Sequence, residues 1–170
     1  IQFPAGVMKE HLHTREKAGL FDVGHMGQVI LRPKSGKVED AALALERLLP
    51  VDVLGLKVGR QRYGLFTDAK GGILDDLMFA NRGDHLFLVV NASCKVQDVA
   101  HLRKHLSDVC DIEELNDRGL IALQGPAAES ALAKLNPEVA AMAFMDVKDV
   151  TLVGAPCIVS RSGYSGEDGY

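Results

Sequence analysis

The sequence is short of cysteine: three in 170 residues, widely spaced, with no C-x-x-C pair among them. The spacing speaks against zinc-finger and dithiol redox motifs. The odd set of Cys94, Cys110 and Cys157 fits reduced thiols in a cytosolic compartment. Excess positive charge is lacking too. A net charge of −4 argues against a general nucleic-acid or polyanion surface. No apolar run approaches the roughly 20 residues that span a bilayer, and the opening residues do not read as a secretory signal. His11 and His13 are two apart, about 200° around a helix, so they do not converge on a metal, and the remaining histidines are scattered. Neither G-x-x-x-x-G-K-[ST] nor G-x-G-x-x-G occurs, which removes the common phosphate loops. There is no internal repeat and no low-complexity linker.

What remains has the balance of a soluble globular protein, 47% hydrophobic and 25% charged. The chain begins at Ile1 and stops at Tyr170 inside a Gly-rich pattern, so it is expected to be a segment of a longer protein, truncated at both ends. Pro4 and Gly19 bracket a helix from about Gly6 to Ala18. "KVEDAALALERLL" has helical spacing and ends at Pro50. "RQRYGLFT" and "GILDDLMFAN" flank "DAKGG" as a β-hairpin, followed by the apolar strand "HLFLVV". In "KVQDVAHLRKHL", Val96, Val99, Leu102 and Leu106 form the apolar stripe of a helix, with Lys95, Arg103 and Lys104 on a solvated basic face. "CDIEEL" and "RGLIALQG" read as two strands joined at Asn116-Asp117, "GPAAESALAKL" as a helix, and the last stretch as two short strands about Gly154 and a loop. Four helices and eight or more strands, joined by hairpin-length turns, predict an α+β fold of mainly antiparallel sheets flanked by helices. Two interleaved subdomains are expected, roughly 1–50 plus 111–170 and 51–110.

The chemistry concentrates in "GGILDDLMF". Asp75 and Asp76 sit in an apolar strand whose successive side chains point to opposite faces. Burying an unpaired carboxylate costs several kcal/mol, so each aspartate needs a reason to be there. Either one could brace the Gly71-Gly72 turn. Either could instead await a ligand donor or an amine gaining positive charge. Periodicity leaves the two equal. Asn91 could cap the following helix or read the edge of a heterocycle. Tyr164, in "SGYSGEDG", could stack on a flat ligand. His25, between two glycines, is read as packed rather than catalytic.

"GLFDVGHMG", "GGILDDLMF", "LVVNAS", "IALQGPAA" and "SRSGYSGEDGY", in this order, resemble the aminomethyltransferase (T-protein) family of the glycine cleavage system. The resemblance covers essentially the whole chain, with Gly24 where the family usually has Ser. It implies the folate-binding part of the T-protein fold, without the C-terminal barrel domain. It implies a reaction in which the aminomethyl group on the lipoyl arm of H-protein gives its methylene to tetrahydrofolate and releases ammonia. By motif alignment Asp76 is the catalytic carboxylate, leaving Asp75 to brace the turn. Tyr63, Val90, Asn91, Phe144 and Tyr164 align with folate contacts. No metal is implied. The compartment implied is the cytoplasm, or the mitochondrial matrix in a eukaryote, with no nucleic-acid or membrane partner. These residues alone are expected to be inactive. Two alternatives share the folate domain. One is a dimethylglycine or sarcosine oxidoreductase, which would carry a flavin domain upstream, or a related demethylase. The other is a non-enzymatic folate-binding iron–sulfur assembly factor, whose signature cysteine motif is not seen.

Overall fold

The computed structural model describes residues 3–170. Among these are four α-helices, one 3-10 helix and nine strands, and every strand pair is antiparallel. The α+β antiparallel class expected from the sequence is the one observed. The chain divides into two compact units, Gly24–Gly119 and the chain up to Val23 together with Leu120–Tyr170. The expected boundaries near 50 and 111 are therefore displaced. The residues from Gly24 to Pro50 belong with the central unit because the first strand there supplies the middle of its sheet.

The central unit holds β2 (Gly27–Pro33), α2 (Val38–Glu46), β3 (Gln61–Thr67), β4 (Ile73–Asn81), β5 (Leu86–Val90), α3 (Lys95–Leu106) and β6 (Cys110–Glu114). Its five strands lie in the order β3-β4-β5-β2-β6. Alternate residues of the sheet, among them Leu31, Phe66, Leu77, Phe79, Leu86 and Leu88, pack with Ala41 and Leu45 of α2 and with Val99, Leu102 and Leu106 of α3. Fully burying one such side chain is worth about 1.5–3 kcal/mol, so this face holds the sheet to its helices. One position departs from the expected stripe. Val96 is 81% exposed, and Asp98 takes the buried place at 4%.

The turn between β3 and β4 is closed by Asp68. Its Oδ1 accepts from the main-chain nitrogens of Lys70 and Gly72, each at 2.8 Å. Gly71 there adopts φ 81°, a left-handed conformation that suits glycine. The sequence reading gave the turn to Asp75. It belongs to Asp68, equally close to the two glycines but on the incoming side.

The other unit contains α1 (Val7–Glu16), β1 (Gly19–Asp22), β7 (Ile121–Gln124), α4 (Ala128–Leu132), the 3-10 helix Pro137–Ala141, and the hairpin β8 (Val147–Leu152) and β9 (Ala155–Ser160). β1 pairs with β7, and β6 with β2. The two strands read as joined at Asn116-Asp117 thus lie in different sheets and different units. Ala128, Val139, Met142, Val150, Val159 and Tyr170 form this unit's core.

Candidate functional site

The pleat of β4 separates the paired aspartates. In register, Asp76 stands opposite Leu65 and Asp75 opposite Phe66. Directly opposed residues share a face. Asp76 therefore points to the side of Leu65, while Asp75 points with Phe66 toward the helix-covered core. The register shifts between Phe66 and Thr67, a bulge immediately beside the pair.

On the Asp76 side, Pro50, Val51, Tyr63, Gly64, Leu65 and Asp76 line an open cavity of about 460 Å³. Asp76 is solvent-exposed, so the apolar run around it does not bury it. Tyr63 is 41% exposed, and its partial burial raises the phenol above its ordinary value, leaving a neutral hydroxyl at physiological pH.

Asn91 ties this side to the other. Its Nδ2 donates to Asp76 Oδ1 at 2.9 Å, to the Asp76 main-chain oxygen at 3.1 Å and to Asp75 Oδ1 at 3.1 Å. An amide nitrogen has two hydrogens, so the three acceptors share them. Asn91 does not cap α3, which begins with no side-chain cap. Only its main-chain oxygen serves the helix entry, accepting from Cys94 N at 3.1 Å.

Behind β4 stands a residue absent from the expected site. Asp98, on α3, is buried beside Asp75, which acts on its carboxyl group. Asp75 Oδ2 and Asp98 Oδ2 are both buried and neither has a hydrogen-bond partner. Two ionised carboxylates cannot donate to each other, so only a proton on one of them would let these oxygens pair. Burial first, and then the neighbouring Asp75 and Asp76, push the Asp98 carboxyl up to about 7.

The remaining expected contacts are distributed differently. Val90 is fully buried on the helix side, opposite Leu77, so its side chain packs in the core and leaves only its main chain for a ligand. Phe144 and Tyr164 lie in the other unit, 59% and 58% exposed. Tyr164 has φ 79°, an outlier for a bulky side chain. Its loop is held by named ion pairs. Arg161 bonds Asp168, drawing that carboxyl below its ordinary range, and Arg15 meets Glu167 at 2.6 Å. Ser165 Oγ donates to Gln124 Oε1 at 2.7 Å. The structure thus brings Tyr63, Asp76 and Asn91 together, and adds Asp75 and Asp98 behind them. His25 is exposed.

The whole chain, residues 1–170, matches the family model described as the GCVT N-terminal domain. It is 41% identical over 180 residues to the mitochondrial aminomethyltransferase of Dictyostelium discoideum, covering all of this chain and 43% of that protein. It is 38% identical over 174 residues to the aminomethyltransferase of Geobacillus thermodenitrificans, covering all of this chain and 46% of that one. Among solved structures, the glycine cleavage system aminomethyltransferase T from Bartonella henselae matches with a TM-score of 0.85 at 37% identity, over 99% of this chain and 45% of that one. Heterotetrameric sarcosine oxidase from Corynebacterium sp. U-96 matches with a TM-score of 0.59 at 17% identity, over 99% of this chain and 84% of that one, a likeness of fold alone. The chain spans less than half the length of the aminomethyltransferases it matches. With a family model matched from end to end and relatives near this level of identity, the chain belongs to the GCVT N-terminal domain family.

Proposed function

We propose that this chain is the folate-side portion of a glycine-cleavage aminomethyltransferase, with Asp76 as its catalytic carboxylate. The observation that carries the proposal is Asp76 itself: an exposed carboxylate, held by Asn91, in an apolar-walled open cavity. About 460 Å³ lies in the range of small-molecule sites. The donor set suits a reduced pterin. Such a ring presents N–H donors that a carboxylate accepts, and a flat surface that Tyr63 and Leu65 can cover.

In this proposal tetrahydrofolate supplies the nitrogens that accept the methylene. Asp76 orients the ring edge, takes and returns a proton there, and stabilises the positive charge that develops as the amine departs. Asn91 keeps the carboxylate turned toward the cavity. Val90 (through its main chain), Phe144 and Tyr164 enter as ligand contacts on the strength of the family resemblance. Lipoylated H-protein is the proposed donor partner. The compartment is the cytoplasm of a bacterium or the mitochondrial matrix of a eukaryote, since several relatives carry mitochondrial names. Among the described residues no helix is long and apolar enough to cross a membrane.

The test uses the full-length protein with tetrahydrofolate and aminomethylated lipoyl H-protein. Ammonia release and methylenetetrahydrofolate formation are expected, both reduced by Asp76→Asn. A folded protein that forms neither sinks the proposal.

A further inference from the structure

Hydrogen bonds run inward from the cavity, Asn91 to Asp76 and Asn91 to Asp75, and behind Asp75 lies the buried Asp98 of α3. The inner end is built from acceptors alone unless a proton is added. Asp75 Oδ1 is occupied by Asn91, and its Oδ2, like Asp98 Oδ2, is buried with no donor. A buried carboxylate oxygen left unsatisfied is costly, so one proton between two such oxygens removes two penalties at once.

We propose that Asp98 is a positioning residue for the Asp76 site: its protonated carboxyl donates to Asp75, which fixes Asn91, which in turn holds the Asp76 carboxylate. The functional half rests on the proposed role of Asp76; the proton arrangement rests on the two buried, unpartnered carboxylate oxygens and on α3 packing over the face that Asp75 shares with Phe66.

The surroundings favour the proton. From β4, Asp75 and Asp76 both act on Asp98 as acids and disfavour its ionisation. β3 presents Phe66, whose ring meets His101 edge-on at 5.6 Å between centroids. His101, one turn along α3 from Asp98, has Nε2 buried without a partner, and burial holds the imidazole below its ordinary value, hence neutral. Lys104 and His105 act on His101 rather than on Asp98. No cation compensates Asp98 among the described residues acting on it. If Asp98 lost its proton, two anions would face each other in the interior. Their repulsion would be relieved by moving Asp75, and Asn91 with it.

The experiment is a pH titration of the full-length protein followed by NMR, reading the side-chain carboxyl carbon of Asp98 and the side-chain amide of Asn91. Asp98 is expected to titrate near its raised value of about 7. The Asn91 amide should shift with the same midpoint. In Asp98→Asn, whose amide donates to Asp75 at every pH, the Asn91 shift should be pinned. The methylene-transfer assay adds a second readout: the fall of kcat on the alkaline side should move to higher pH in Asp98→Asn, by about one unit or more. An Asp98 carbon already ionised at pH 5, or an Asn91 amide that titrates unchanged in Asp98→Asn, overturns the proposal. The NMR arm does not depend on turnover, so a protein inactive in methylene transfer would fail the functional proposal while the titration still decides this one.

Discussion

Asn91 holds Asp76 at two points, its Nδ2 lying 2.9 Å from Oδ1 and 3.1 Å from the main-chain oxygen of the aspartate. The same nitrogen reaches Asp75 Oδ1 at 3.1 Å. One amide therefore couples the exposed carboxylate to the interior.

Asp76→Asn should cut kcat for methylene transfer by about 100- to 10,000-fold, the range for losing a positioned acid–base group. The substitution keeps shape and removes charge at an exposed position. Thermal unfolding should therefore change little. Wild-type turnover in the variant would remove Asp76 from the chemistry. A large drop in melting temperature would mean that it acts through the fold.

Asn91→Ala should destabilise the chain by about 1–3 kcal/mol, because it strips a donor from two carboxylates and one main-chain oxygen. Asn91→Asp should be worse, since it places a third carboxylate against two. The difference between the two variants should widen as pH rises and the new group ionises. Urea denaturation at acid and neutral pH measures it. An Asn91→Asp protein as stable as Asn91→Ala at neutral pH would show that the nitrogen is not the element that matters.

The hairpin turn and the paired aspartates separate by mutation. Asp68→Ala removes the acceptor for Lys70 N and Gly72 N and should cost about 1 kcal/mol with kcat unchanged. Asp75→Asn leaves the turn intact. It exchanges an anion for an amide that can itself donate to Asp98. The Asp98 carboxyl should then fall back toward the ordinary carboxylate range, which the Asp98 side-chain carbon reports by NMR. Burial keeps part of the rise in Asp75→Asn, so an Asp98 titration unchanged from wild type would show that Asp75 contributes nothing to it.

The fate of these residues marks where sequence patterning stops. Period-two alternation put Asp75 and Asp76 on opposite faces of β4, and the structure agrees. Which face is wet depends on α3 covering one side of the sheet, a tertiary fact that a strand's own residues do not carry. The helix shows the same limit. At about 100° per residue, Val99, Leu102 and Leu106 centre on a direction about 90° from Val96 and about 70° from Asp98. The wheel is nearly a tie, and hydropathy tips it toward Val96. Packing buries Asp98 on the side of the helix that faces Asp75, and leaves Val96 exposed. β6 and β7 mislead for another reason. Adjacent strands with a short turn usually pair, but the chain passes from one unit to the other between them. The motifs around Asp76 and Asn91 were legible as a resemblance. Asp98 had no such signal beyond an acidic residue beside an apolar stripe.

Asp98 also makes stability depend on pH in a direction opposite to that of a salt-bridged aspartate. Its folded-state value is raised from 3.8 to about 7. Between these limits the unfolded chain has released the proton and the folded chain keeps it. The folded state then binds more protons, so this group's contribution falls as pH rises, by up to about 1.4 kcal/mol per pH unit. Above about 7 both states are ionised and the contribution levels off. Asp98→Asn abolishes this slope. Compared with wild type, the variant should gain stability steadily from about pH 4 to pH 7 and then run parallel. Urea melts at about pH 4.5, 6 and 8 measure the difference directly. A constant offset between the two proteins across that window would mean that Asp98 is ionised in the fold, and that Asp75 finds its donor elsewhere.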